Sequence, residues 1–147
     1  MNAKFFNTTP DWTPFILRVI LGGVVFAHGA QKLFGWFGGY GFNGTMVFFT
    51  DTVGLPWIVG FTVIMLEAIG SIVLVSGLAT RLMALSYTLL GIGILFTSHV
   101  KNGFFMNWFG NQPGEGIEFF LLWLAISTTL IITGGGRLSL DQHFIKK

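Results

Sequence analysis

Four long apolar runs, separated by glycine-rich and polar segments, dominate the sequence. They cover about residues 13–34, 56–76, 81–100 and 116–133. Each is close to the ~20 residues that an α-helix needs to cross the hydrocarbon core of a bilayer. Thr13 with Pro14, and Thr80 before the third run, are residue types that begin helices, while Gly77 and the glycines at 134–136 end them. The pattern therefore predicts an all-α, polytopic membrane protein built as a four-helix bundle.

The composition agrees with this prediction and excludes several classes of function. The chain has 147 residues, of which 52% are hydrophobic and 10% are charged, whereas soluble domains carry about 25% charged residues. One transmembrane domain over residues 1–147 is indicated. The net charge of +2 is too small and too scattered for nucleic-acid binding. Because the chain has no cysteine, it cannot supply thiol catalysis, disulfides or cysteine-ligated clusters.

The distribution of Lys and Arg predicts the orientation in the membrane. The side that holds both termini and the link after residue 76 carries six of them, and the opposite side carries two. These are Lys4, Arg18, Arg81, Arg137, Lys146 and Lys147 against Lys32 and Lys101. Positive residues favour the cytoplasmic side, so both termini are predicted there. The aromatic-rich connections 35–55 and 101–115 then face outward, and residues 43–53 can form a short interfacial helix.

Glu67 is the only formally charged residue of the second apolar run. A carboxylate at the centre of a membrane helix costs about 2.5–3.5 kcal/mol on insertion scales, so it needs a partner. Two arrangements are open. In the first, Arg18 extends toward the midplane and forms a buried ion pair with Glu67. In the second, Glu67 faces His28 and contributes to a polar pocket that opens outward.

The pocket hypothesis rests on the depth of each polar residue in the membrane, calculated from a rise of about 1.5 Å per helical residue. The residues predicted to form a substrate or quinone site are His28, Gln31, Lys32, Glu67, His99 and Glu118. Aromatic residues of the two outward connections are predicted to cover it, namely Trp36, Phe37, Phe104 and Trp108. The alternatives are that the polar residues only join helices to one another and that the aromatic residues form an interfacial belt. No metal site is predicted.

Several segments, in conserved order along nearly the whole chain, resemble the DoxX family of small four-helix bacterial membrane proteins. They are Leu17-Arg18-Val19, Ala27–Gly35, Gly54-Leu55-Pro56, Glu67–Gly70, Gly77–Arg81, His99–Phe105 and Gly136–Asp141. The resemblance implies a multi-pass protein of the bacterial cytoplasmic (inner) membrane. It also implies a link to quinone or redox chemistry, because one branch, DoxD, resembles a subunit of thiosulfate:quinone oxidoreductase. Other members are associated with redox-stress complexes.

The expected function is therefore that of a membrane subunit of an oxidoreductase system, which binds a quinone or small redox substrate in an outer-leaflet pocket. The alternative is a non-enzymatic membrane anchor, or a small-molecule or proton conduit, for a partner complex. The expected partners are the lipid bilayer and either a soluble oxidoreductase or further copies of the chain. No covalently bound cofactor is expected, and a quinone is the candidate ligand. The sequence leaves open whether the chain itself is catalytic.

Overall fold

The computed structural model describes residues 8–145, and every regular element in that range is helical. The helices are α1 (Trp12–Phe34), α2 (Gly41–Val47), α3 (Trp57–Ser76), α4 (Thr80–Asn102), α5 (Glu118–Thr133) and α6 (Asp141–Ile145). A 3-10 turn at Trp36–Gly38 follows α1, and a π-helical turn at Phe48–Thr52 extends α2. The all-helical fold predicted from the sequence is confirmed, and the short helix expected at 43–53 is present with slightly different bounds.

Three helices, α1, α3 and α4, are long and apolar enough to cross a membrane, whereas α5 is a shorter apolar helix. Large hydrophobic side chains cover the outer surface of the bundle. They include Ile20, Leu89, Phe96, Leu122 and Ile132, each at least 40% exposed. Soluble monomers rarely expose apolar surface on this scale, so these faces are suited to lipid. A crossing by α5 stays a prediction, because its 16 residues extend only about 24 Å.

The helices pack as two pairs, α1 on α3 and α4 on α5, and α1 also contacts α5. The side chains at the centre of the packing are Leu21, Val25, Leu74, Ala84, Tyr87, Trp123 and Leu130. The bundle has two different ends. The terminal end holds the start of α1, the link at 77–79 and residues 134–145. The loop end holds the connections at 35–56 and 103–117.

Two helix starts differ from those predicted. The residue before α1 is Asp11, not Thr13, and its carbonyl accepts a hydrogen bond from Arg137 N. At the start of α4, the Asp141 carboxylate accepts hydrogen bonds from the backbone N–H groups of Ala79 and Thr80, at 2.7 and 2.9 Å. The Thr80 hydroxyl is buried without a hydrogen-bond partner. A distant carboxylate therefore caps α4, because residues 134–145 fold back onto the 77–79 link.

Candidate functional site

Glu67 lies in a π-helical turn, Leu66–Gly70, that interrupts α3 midway. Such turns occur often at functional sites. Its side chain is only 3% exposed, and Oε2 accepts a hydrogen bond from Lys32 Nζ of α1 at 2.5 Å. Gly29, one turn before Lys32, allows this approach, because an added Cβ would overlap the backbone of Glu67 and Ala68. The close contact of α1 with α3 thus joins the two charges.

The ion pair predicted between Arg18 and Glu67 is therefore wrong. Arg18 is fully buried at the terminal end of the bundle, where its guanidinium donates to backbone carbonyls only. The acceptors are the carbonyl oxygens of Gly135, Val75, Arg137 and Leu138. A guanidinium offers five N–H donors in a fixed plane, which matches a cluster of carbonyls better than one carboxylate does. Arg18 joins residues 135–138 to the end of α3.

At the loop end, four helices line a partly open cavity of about 320 Å³ that contains the ion pair among largely apolar walls. Four of the six residues predicted for the site line it, namely His28, Lys32, Glu67 and His99. The remaining wall comes from Ile94, Met106, Glu115, Phe119, Phe120 and Trp123. We refer to this space as the polar cavity. The structure thus brings together most of the predicted polar group, in the second of the two arrangements that the sequence left open.

His99 ends a third π-helical turn, Leu95–His99, near the end of α4. Its Nδ1 lies 2.9 Å from the carbonyl oxygen of Glu115, and its ring lies 4.6 Å from that of Phe120. A carbonyl oxygen can only accept, so Nδ1 carries the hydrogen. In the neutral ring Nε2 is then a hydrogen-bond acceptor. The 103–117 loop therefore sets both the orientation and the tautomer of this histidine.

His28 lines the cavity and is also exposed, with its ring centroid 6.5 Å from that of Phe119. The other two predicted site residues do not line this cavity. Gln31 lines a neighbouring space together with Lys32 and the 38–40 segment. Glu118 accepts hydrogen bonds from Met106 N and Trp108 Nε1, at 3.1 and 3.0 Å. Its carboxylate therefore holds the 103–117 loop against the start of α5.

The predicted aromatic cover is also placed elsewhere. Trp36 and Phe37 are exposed and pack in a row with Phe34. Phe104 and Trp108 line a separate apolar groove. The side chains that close the polar cavity are mainly those of the first turns of α5. Their positions at 119, 120 and 123 share one helical face, but the sequence does not reveal which face turns inward.

The floor of the polar cavity is held by hydrogen bonds between three helices. Trp123 Nε1 of α5 donates to the Tyr87 carbonyl of α4 at 2.8 Å. The Tyr87 hydroxyl donates to the Leu66 carbonyl of α3 at 2.7 Å. Both side chains are buried, and sequence reasoning missed them. They anchor the π-helical turn that carries Glu67, so its carboxylate has a fixed position.

The polar cavity can bind a small molecule that has both hydrogen-bond donors and acceptors. Lys32 supplies an ammonium, Glu67 a carboxylate and His99 a ring nitrogen that accepts, while Phe119, Phe120 and Trp123 supply apolar walls. Within the described residues, no group of three His, Cys, Asp or Glu side chains is placed to hold a metal ion. The charges of Lys32 and Glu67 compensate each other within their ion pair.

The chain is similar in sequence to a known protein family and to one protein named for its activity. A family model described as DoxX matches residues 13–100. The chain is 34% identical over 131 residues to a Bacillus subtilis (strain 168) protein named "Putative oxidoreductase CatD", an alignment that covers 89% of this chain and 86% of that protein. No solved structure matches the chain. The matched family model spans more than half of the sequence, and the chain therefore belongs to the DoxX family of membrane proteins.

Proposed function

We propose that this chain is the membrane subunit of an oxidoreductase system and that it binds a quinone or another small redox substrate in the polar cavity. The observation that carries the proposal is the Lys32–Glu67 ion pair, with its buried carboxylate, in the wall of a cavity that two histidines also line. Ionisable groups within membrane segments are functional candidates by default. The similarity to a protein named as an oxidoreductase supports the same class of activity.

The cavity volume and lining suit the ring of a quinone. About 320 Å³ lies at the lower end of the ~300–1,000 Å³ typical of ligand pockets. The Lys32 ammonium can donate to a ring carbonyl oxygen. A reduced ring carries hydroxyl groups instead, and these can donate to His99 Nε2 or to the Glu67 carboxylate. The same residues therefore serve both oxidation states of the ligand.

The protons and electrons of such a reaction have different sources in this proposal. Reduction of a quinone takes up electrons and protons in equal number. Glu67 and Lys32 are placed to exchange protons with the ring, since they already share a hydrogen bond. Without cysteine in the chain, we assign the electron transfer to a soluble oxidoreductase partner. The chain would lie in the bacterial inner membrane with both termini in the cytoplasm and the polar cavity in the outer leaflet.

The test is retention of quinone during purification. Lipid extracts of the purified protein are analysed by mass spectrometry for the wild type, His99→Ala and His143→Ala. The matched control is His143, because it is exposed in α6 at the opposite end of the bundle. We expect His99→Ala to lose most of the bound quinone and His143→Ala to keep it.

A different result would favour the non-enzymatic role. If the wild type carries no quinone from a quinone-containing membrane, the binding proposal fails. If a soluble oxidoreductase still co-purifies with the wild type and with His99→Ala equally, the chain acts as an anchor for that partner. Equal retention of quinone by all three proteins would place the ligand outside the polar cavity.

A further inference from the structure

A second cavity lies directly beside the polar cavity. It is an apolar groove of about 510 Å³. Its apolar lining consists of Phe104, Met106, Trp108, Phe119, Leu121 and Leu122. We refer to it as the apolar groove. Leu121 and Leu122 of α5 are 44% and 67% exposed, so the groove opens on the outer surface of the bundle.

Met106 and Phe119 line both the apolar groove and the polar cavity. The two spaces therefore share these two residues in their walls. Methionine has three rotatable side-chain bonds and adapts easily to different shapes. A rotation of the Met106 side chain would therefore change the shape of both spaces.

Glu118 is the charged residue in the lining of the apolar groove. Its Oε1 accepts hydrogen bonds from Met106 N and Trp108 Nε1. The carboxylate is thus engaged by the loop, and the rest of the lining is hydrocarbon and aromatic ring. Such a surface accommodates a flexible apolar chain, and it offers little to a second polar group.

We infer that the apolar groove holds the hydrocarbon tail of the molecule whose ring occupies the polar cavity. The inference rests on the proposed function and narrows its substrate class to a quinone with an alkyl or isoprenoid tail. A cavity of about 320 Å³ is too small for a quinone ring together with a long alkyl or isoprenoid tail, so the tail must leave it. The wall shared by Met106 and Phe119 leads from the ring site to a surface where the tail can continue among lipid chains.

The experiment compares two probes that differ only in the tail. These are dimethoxymethylbenzoquinone and its decyl derivative, titrated against the full-length protein in nanodiscs of one lipid composition. Leu122→Trp fills the apolar groove with a larger side chain. Leu89→Trp is the matched control, because Leu89 is 63% exposed on α4 and does not line the groove.

We expect Leu122→Trp to weaken binding of the decyl quinone about tenfold, through a steric clash with the tail. Binding of the tailless quinone should stay unchanged in that variant, which also shows that the protein is folded. Leu89→Trp should leave both affinities unchanged. A diazirine at the end of the decyl tail should label α5 peptides that contain Leu121 and Leu122.

The outcomes separate this inference from the proposed function. If the tailless quinone binds in a His99-dependent manner while Leu122→Trp affects neither probe, the tail inference is overturned and the proposed function stands. If a diazirine phospholipid labels the groove equally and the decyl quinone does not displace it, the groove holds membrane lipid and the inference also fails. If neither quinone binds to the wild type, the proposed function fails, and the inference with it.

Discussion

We predict that the two partners of the Lys32–Glu67 ion pair differ in how much stability the protein loses when each is replaced. The Glu67 side chain is 3% exposed, whereas that of Lys32 is 24% exposed. Lys32→Met would leave a carboxylate without a counter-charge in a site almost closed to water. Glu67→Gln would leave an ammonium on a long flexible stem that can extend toward water. We therefore expect Lys32→Met to be the more destabilising change.

The size of the effect follows from the cost of an isolated buried charge. Removing one partner of a buried ion pair typically costs about 3–5 kcal/mol. A carboxyl group can avoid the isolated charge by binding a proton, which at pH 7 costs about 3.7 kcal/mol for an ordinary glutamic acid pKa of about 4.3. This protonation cost is the upper limit of the stability that Lys32→Met can lose through the isolated charge. We expect about 3 kcal/mol, or a Tm lower by about 6–12 °C, and about 1 kcal/mol for Glu67→Gln because Lys32 is partly exposed.

The penalty for Lys32→Met should also depend on pH. At pH 5 the same protonation costs about 1 kcal/mol, so the variant should recover more than half of the lost stability. His28 and His99 line the same cavity. The double variant Lys32→Met/Glu67→Gln keeps both histidines and lacks both charges, so its pH dependence supplies the baseline for the comparison.

The assay is thermal unfolding in detergent, followed by tryptophan fluorescence at pH 7 and pH 5, for the wild type, both single variants and the double variant. The double variant should be more stable than Lys32→Met at pH 7. If the two single effects add in the double variant to within about 0.5 kcal/mol, Lys32 and Glu67 do not interact. A Lys32→Met penalty that is equal at both pH values would refute the isolated-carboxylate reasoning.

Three further predictions concern the contacts that support the site. Gly29→Ala should destabilise the protein by about 1–3 kcal/mol because its Cβ meets the α3 backbone, while Gly23→Ala, which faces open space, should be neutral or stabilising in the same melts. Arg18→Ala should cost about 3 kcal/mol and expose residues 134–145 to limited proteolysis, and Arg18→Lys should not restore protection. Reporter fusions at Tyr40 and Lys147 should report opposite sides of the membrane, and the same side for both would contradict the topology.

The helices and their ends could largely be predicted from the sequence, because the signals are local. Apolar runs of membrane length indicated each long helix, and Gly77 ends α3 with a φ of 71°, a conformation that glycine adopts readily. Gly134 also ends α5 with a positive φ, of 78°, but its ψ of −163° lies outside the left-handed helical region of Gly77. The starts of α1 and α4 were less predictable, because each makes hydrogen bonds with a residue far away in the sequence, Arg137 for α1 and Asp141 for α4.

The partner of Glu67 could not be predicted from the sequence. Arg18 and Lys32 are 14 residues apart on α1 and lie on similar sides of the helix, so the face alone did not distinguish them. The two residues differ instead in their position along the axis of the bundle. Arg18 lies beside Val75 and Gly77, about two helical turns beyond Glu67 along α3. That height depends on how α1 and α3 align, which Gly29 fixes.

The residues that form the wall of the polar cavity could not be predicted from the sequence either, because they depend on the path of the 103–117 loop. Glu115 holds that loop by accepting hydrogen bonds from Asn107 N through its carboxylate and from Asn102 Nδ2 through its carbonyl. Glu118, predicted as a ligand-binding residue, holds the same loop. The Glu118 carboxylate therefore accepts hydrogen bonds from the loop instead of lining the polar cavity. No residue spacing in the sequence distinguishes that structural role from ligand binding.

The two cations of α1 differ in how much of their hydrogen-bonding capacity the fold consumes. Arg18 makes four hydrogen bonds to backbone carbonyls, so its five donors are almost fully used in joining the terminal segment to the bundle. Lys32 uses one of its three donors, on Glu67. Its remaining donors lie where it lines two cavities. A side chain that serves only to join helices would be expected to resemble Arg18. In the proposed function, the further donors of Lys32 would bind the ring oxygens of the ligand, beside the Glu67 carboxylate and the His99 ring.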